Sequence, residues 1–92
     1  MRGYGENMEY VLAVFRSRNE TLYLANMLKS NGYSVFVVNT PESLGQACGI
    51  SVKFSKSILT IVKDFIRTKP FRAFFGFFLV KKENDQMSFL RV

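Results

Sequence analysis

Blocks of apolar residues, separated by polar and turn-forming residues, predict four strands and two helices. The apolar runs of strand length lie around residues 9–16, 34–39, 49–54 and 74–81. Residues 50–54 alternate apolar and polar side chains, as expected for a strand with one face in water. Two further segments, 18–31 and 56–67, repeat their apolar residues at helical spacing. The predicted order is therefore strand, helix, strand, strand, helix, strand.

The ends of the first helix carry recognisable stop and start signals. Ser17 and Glu20 have the spacing of a capping box. In such a box the Ser17 hydroxyl would accept from the Glu20 amide, and the Glu20 carboxylate would accept from the Ser17 amide. Asn31-Gly32 supplies a left-handed stop at the other end. Residues 87–92 form either a short fifth strand or a frayed tail.

This order of elements predicts an α+β fold, a ferredoxin-like βαββαβ two-layer sandwich. Both helices would cover one face of a four-stranded, mainly antiparallel sheet. The first and fourth strands are apolar on both faces, so the other sheet face also needs a cover. The tail 87–92 or a second copy of the chain would provide it, and we predict a homodimer through this apolar face if the tail does not. The residues expected in the core are Leu12, Val14, Leu24, Leu28, Val37, Val52, Ile58, Val62, Phe65 and Phe77.

Length and composition favour a single domain over residues 1–92. We expect a flexible leader at 1–8, a globular core at 9–82, and a tail or extra strand at 83–92. No secretory signal is visible, and the longest apolar run, 73–80, is far shorter than the roughly 20 residues that cross a bilayer. One cysteine cannot form an internal disulfide, which favours a reducing compartment. The chain is therefore predicted to be cytoplasmic and to make no membrane contact.

The composition excludes several classes of catalytic chemistry. The chain has no histidine and one cysteine, so it lacks the usual general base and the ligands of an ordinary zinc site. No glycine-rich phosphate loop follows a strand. The acidic residues are scattered, which argues against a pair of catalytic carboxylates. No metal and no cofactor are expected, and a carrier protein is favoured over an enzyme.

The segment 40–48 links the second and third strands and ends at the sole cysteine, Cys48. Long loops in small domains often carry function. A lone thiol is enough for a carrier that accepts sulfur or selenium as a persulfide-type adduct, provided that it is reachable and partly ionised. Lys53 and Lys56 are candidates for promoting that ionisation, and Gly49 leaves room for a partner. Alternatively, Cys48 packs as a small buried hydrophobe.

The same segment resembles a known family. Thr-Pro-Glu-Ser-Leu at 40–44, followed by Cys-Gly-Ile-Ser-Val-Lys-Phe at 48–54, is similar to the signature of small bacterial proteins described as selenium/sulfur carrier-like. The resemblance implies that the sulfur of Cys48 is the carrier atom and that Thr40, Pro41 and Gly49 shape its surroundings. It also implies sulfur or selenium donor and acceptor proteins as partners. Glu42 departs from the family, in which a basic residue is usual at this position.

Two other functions stay open at this point. The first is a non-catalytic homo-oligomeric interaction or ligand-sensing domain that uses the uncovered sheet face. The second is a nucleic-acid-binding module, which the net charge of +6 permits. No Lys/Arg-Gly-Phe signature is present, and the aromatic run 74–78 is interpreted as core. Nucleic acid is therefore not expected as a partner.

Overall fold

The computed structural model describes residues 7–45 and 49–92. Residues 1–6 of the expected leader, and Gln46, Ala47 and Cys48, lie outside the described residues. Seven helices and strands are described: β1 (Asn7–Phe15), α1 (Arg18–Ser30), β2 (Phe36–Asn39), β3 (Ile50–Phe54), α2 (Leu59–Thr68), β4 (Phe74–Glu83) and β5 (Gln86–Arg91). The α+β class is confirmed.

The strands form one five-stranded antiparallel sheet in the order β2-β3-β1-β4-β5. Strand β1 is therefore central, and it pairs with β3 on one side and with β4 on the other. Its run from Val11 to Phe15 is buried on both faces, as its unbroken apolar sequence predicts. Alternate residues of a strand point to opposite faces, so Val11, Ala13 and Phe15 share one face and Leu12 and Val14 share the other.

Both helices cover the face that carries Val11, Ala13 and Phe15. Helix α1 presents Thr21, Leu24, Ala25 and Leu28, which recur at the predicted helical spacing, to that face, and all four are buried. The Ser17 hydroxyl accepts from the Glu20 amide at 3.2 Å, which confirms the predicted cap. Gly32, after the helix, has φ +89°, which confirms the left-handed stop.

The second half of the predicted capping box is wrong. The Glu20 carboxylate does not bond the Ser17 amide but accepts from the backbone amides of Arg72 and Ala73, each at 2.9 Å. Those residues lie immediately before β4, more than fifty positions away in the chain. A tertiary contact thus replaces the local one, and it ties α1 to the entry of β4.

The expected core is confirmed at most positions but not at Val37, which is 36% exposed. Strand β2 is an edge strand, and Val35 just before it is buried in the helix-side core while Val37 lies at the margin. Ile58 and Phe65 are half-buried rather than buried. Among the described residues of α2, Val62 is the fully buried one, and the other apolar side chains of this helix are half-buried.

The tail is a strand rather than a loose cover. Strand β4 runs to Glu83, beyond the predicted run of 74–81, and Asn84 and Asp85 make a tight turn into β5. Asn84 has φ +57°, a conformation that asparagine tolerates in hairpin turns. Strand β5 pairs beside β4 instead of folding across the sheet.

We call the sheet surface that carries Leu12 and Val14, with the residues paired to them, the open face. No helix covers it in the described part of the chain, yet Leu12, Val14 and Val80 are almost fully buried. Half-buried neighbours, among them Tyr10 and Phe89, pack around them. The apolar centre of the open face is therefore covered by side chains of the sheet itself. The homodimer stays a prediction, since an exposed apolar centre no longer requires it.

Candidate functional site

The loop between β2 and β3 is closed at its base by two hydrogen bonds. The Thr40 amide donates to the Gly49 carbonyl at 2.9 Å, which extends the pairing of the two strands by one step. The hydroxyls of Thr40 and Ser51 lie 2.6 Å apart, and Ser51 is fully buried. A backbone hydrogen bond and a pair of side-chain hydroxyls thus hold together the two ends of the loop that carries Cys48.

The first half of the loop folds back towards the sheet. Pro41 precedes a 3₁₀ turn over Glu42–Leu44, in which the Leu44 amide donates to the Pro41 carbonyl at 3.0 Å. Leu44 packs against the cluster on the open face. Gly45 ends the turn with φ +75°, a left-handed conformation that glycine adopts without strain. Thr40, Pro41 and Gly49 therefore shape the loop, and Gly49 is exposed.

Cys48 lies outside the described residues, but it is bonded directly to Gly49 in the chain. Lys53 and Lys56, the cations suggested by sequence proximity, have partners elsewhere. The Lys53 ammonium lies 4.5 Å from the centre of the Tyr10 ring, and the Lys56 ammonium lies 3.0 Å from a Glu9 carboxylate oxygen. At about 3.3 Å per strand residue, the Lys53 backbone is about 13 Å from Gly49.

Glu9 provides a pH-dependent contribution to stability. The hydrogen bond from Lys56, with added attraction from Lys56 and Lys81, lowers the pKa of the Glu9 carboxyl below its ordinary value of 4.5. A carboxyl whose pKa is lower in the folded state stabilises that state above its unfolded pKa, and this contribution is lost as the pH falls through the folded value.

We expect Glu9→Gln to lower the urea midpoint slightly at pH 7. The difference from the parent protein should disappear well below pH 4.5, where both forms are neutral at this position. Parallel urea titrations at pH 7 and in strong acid, followed by circular dichroism, measure it. An equal difference at both pH values would contradict this assignment.

Two arginine guanidinium groups, which the sequence did not single out, lie at the same end of the sheet as Gly49. Arg16 follows β1 directly, and its guanidinium carbon lies 4.9 Å from the centre of the Phe75 ring. The Arg91 guanidinium lies 5.1 Å from the same ring centre and donates to the Phe75 carbonyl. The register places Arg16 beside the loop, since Val14 pairs with Ser51 in antiparallel strands. Arg91 lies in β5, across β4 and β1 from β3, and its guanidinium extends towards the same end of the sheet. Only the pairing across strands could reveal this proximity.

Gly76 makes room for the Arg91 side chain. A methyl group built at Gly76 would lie 2.9 Å from the Arg91 Nε, closer than nonbonded atoms tolerate. The missing side chain lets the guanidinium cross the open face and reach both Phe75 and Phe78, whose ring centre is 5.6 Å away. A Cβ at position 76 would therefore make the flexible end of the Arg91 side chain shift.

The hydroxyl pair at the base of the loop gives a test of its anchoring. We expect Thr40→Val to cost about 1–3 kcal/mol, because it leaves the buried Ser51 hydroxyl without this partner. Urea unfolding measures the loss. The double variant Thr40→Val with Ser51→Ala should recover part of it, since apolar groups then replace both partners. Additive losses in the double variant would show that the two hydroxyls do not act as a pair.

Two properties of the described residues bear on the expected chemistry. Residues 7–45 and 49–92 contain no group of three histidine, cysteine or acidic side chains placed to hold a metal ion. Within the same residues, neither helix combines the length and apolarity that crossing a membrane requires.

A family model described as "Putative Se/S carrier protein-like" matches residues 10–73. The match begins within β1 and ends just before β4, so it contains both helices and the whole loop between β2 and β3. No curated protein and no solved structure gives a significant match. Because the family model covers well over half of the chain, this protein belongs to the Se/S carrier-like family.

Proposed function

We propose that this protein carries sulfur or selenium on the thiol of Cys48. The observation that carries the proposal is the family match across the loop, together with the sole cysteine of the chain in that loop. The described ends of the loop support it, because the Thr40 amide holds Gly49, the residue bonded to Cys48, at the edge of β3. The protein would act in the cytoplasm, between donor and acceptor proteins.

The order β2-β3-β1-β4, with β5 added beside β4, supports a ferredoxin-like arrangement. In this arrangement the loop after β2 and the end of β1 meet at one end of the sheet. A carrier needs its thiol at such an end, where a partner can approach without displacing a helix. The donor and acceptor proteins would supply the acid–base groups that this histidine-free chain lacks.

The proposed step is a thiolate exchange. The Cys48 thiolate attacks the terminal sulfur of a persulfide on a donor protein and forms a new S–S bond to that sulfur. The donor's own S–S bond breaks, and its electron pair leaves with the donor's cysteine as a thiolate. One sulfur atom moves, one thiolate is consumed and one is released, and no external oxidant or reductant is needed. Transfer to an acceptor thiol repeats the step.

Positive charge favours the thiolate form of a cysteine. Arg16 lies beside Gly49 by register, since Val14 pairs with Ser51 in antiparallel strands, whereas Lys53 lies four residues along β3 and Lys56 binds Glu9. Arg91 lies in the same cross-strand row as Lys53, three strands from β3, and its guanidinium extends towards the loop end. We therefore infer that Arg16 supplies the nearest charge, and that Lys53, Lys56 and Arg91 add to the positive field at longer range. This division follows from the register alone.

The test is sulfur loading of the full chain. After incubation with inorganic polysulfide, or with a cysteine desulfurase and cysteine, intact-protein mass spectrometry should show the added mass of one sulfur atom. A reductant should remove it. Cys48→Ser should show no addition and should unfold at nearly the parent urea concentration, because no disulfide or metal is lost with the thiol. A donor whose cysteine carries a terminal selenium atom on its sulfur (Cys–S–Se⁻), used in place of the persulfide donor, distinguishes the two elements.

Iodoacetamide alkylation provides the control for access. A carrier thiol should react in the folded protein. A thiol that reacts only after denaturation, in a protein that Cys48→Ser also destabilises strongly, would identify a core residue and would end the carrier proposal.

A further inference from the structure

The open face combines aromatic rings, among which Phe36 is exposed and Phe78 is buried, with positive charge. Five aromatic side chains lie on it by register and packing: Tyr10, Phe36, Phe75, Phe78 and Phe89. Four cations lie beside them: Arg16, Lys53, Lys82 and Arg91. Among the strand positions described on this face, none is acidic. The charged strand positions of this face are therefore all cationic, and they lie beside aromatic rings.

Phe36 is the ring with the greatest free surface on this face, at 60% exposed. It lies on edge strand β2, opposite Lys53 in the register. Phe36, Tyr10 and Lys53 line a groove of about 310 Å³, which is within the size range of small-ligand sites, about 300–1,000 Å³. The carboxylate among the lining residues, Glu9, is paired with Lys56 and Lys81.

Like charges argue against a second copy of the chain as the occupant. Two copies joined through the open face would bring their cations together with no carboxylate from the strand positions to pair with them, which disfavours association. The apolar centre, Leu12 and Val14, is also already covered. An anionic partner with flat apolar surfaces fits the face better on both counts.

We propose that the open face binds single-stranded nucleic acid. Sheets of this kind can present aromatic side chains on which bases stack, while cations contact the phosphates. Phe36 would stack a base at the groove, and Lys53 would contact the backbone beside it. Arg16 and Arg91 would continue the contact towards the loop end of the sheet. This surface shares Arg16 and Arg91 with the proposed thiol site, but stacking and phosphate contacts do not require the Cys48 thiol.

The chain offers one matched pair of variants to test the stacking contribution and another to test the charge contribution. Phe36→Ala removes a ring that is 60% exposed on the open face, and Leu90→Ala removes an apolar side chain that is 62% exposed on the other side of the sheet. Lys53→Gln removes a charge from the open face, and Lys29→Gln removes one from the last turn of α1. Each pair holds chemical change roughly constant and varies only location.

Fluorescence anisotropy of the full chain with a short labelled single-stranded RNA of mixed sequence, across a salt series, gives the readout. Phe36→Ala should weaken binding roughly ten-fold, as expected from loss of one stacked base. Lys53→Gln should reduce the slope of log affinity against log salt by roughly one. Leu90→Ala and Lys29→Gln should change affinity by less than about two-fold, a margin typical of surface changes away from a site.

Three results would overturn the proposal. The first is absence of binding at physiological salt. The second is equal weakening by the members of each pair. The third is equal displacement of the RNA by polyglutamate with no effect of Phe36→Ala, which would indicate a docking surface for an acidic protein instead. Circular dichroism of each variant confirms that it is folded before the comparison is made.

Discussion

Phe15→Ala is expected to destabilise the protein by about 3–5 kcal/mol, the usual cost of emptying a buried phenylalanine site. Phe15 is fully buried at the end of β1, and its ring centre lies 5.3 Å from those of both Phe71 and Phe74. One residue thus joins the central strand to the segment that leads into β4. A small domain has about 5–15 kcal/mol of stability in total, so this loss leaves little.

Urea unfolding followed by circular dichroism measures the loss, and two further variants make it interpretable. Phe15→Leu keeps most of the buried volume and should cost clearly less. Phe36→Ala removes the same side chain from an exposed position and should leave the midpoint almost unchanged. A Phe15→Ala protein with the parent midpoint would place Phe15 outside the core.

Glu20→Ala is expected to cost about 1.5–3 kcal/mol, the range for hydrogen bonds to a charged group. The carboxylate accepts from two consecutive backbone amides, those of Arg72 and Ala73. These amides have no strand partner at this point, so Glu20 satisfies them where the chain enters β4. Amide hydrogen exchange should therefore accelerate at residues 72 and 73 in particular.

Ser17→Ala is the control, since it removes the helix cap and leaves the carboxylate in place. It should cost about 1 kcal/mol without faster exchange at residues 72 and 73. Glu20→Gln, which keeps one acceptor oxygen, should lie between the parent and Glu20→Ala. If Ser17→Ala and Glu20→Ala gave the same pattern of exchange, Glu20 would act through the helix and not as a tertiary clamp.

Features with local causes could be predicted from the sequence. The cap at Ser17, the stop at Gly32 and the buried stripe of α1 depend on residues a few positions apart, and all three are confirmed. The role of Glu20 and the exposure of Val37 depend on what lies across the fold. The sequence contains no local signal for either. The pattern around Glu20 is equally consistent with a bond to the nearby Ser17 amide, and the apolar run around Val37 is equally consistent with a buried central strand.

The candidate site shows the same division. Its loop was predictable, since Thr40-Pro41 and the sole cysteine mark it, and the family match covers it. The cations beside it were not. Lys53 follows Cys48 closely in the chain, but a strand carries it away from the loop, whereas Arg16 comes to the loop end through the pairing of β1 with β3. Proximity along a strand is a poor guide to proximity across a sheet.

The pairing of β1 with β4 has a consequence for how the protein is made. Val11 pairs with Leu79, so the central strand meets one of its two neighbours only after the chain has been synthesised through β4. Sheet contacts of such long range form slowly, and an apolar strand that waits for them is prone to aggregation. The nascent chain would therefore depend most on chaperones just before β4 emerges.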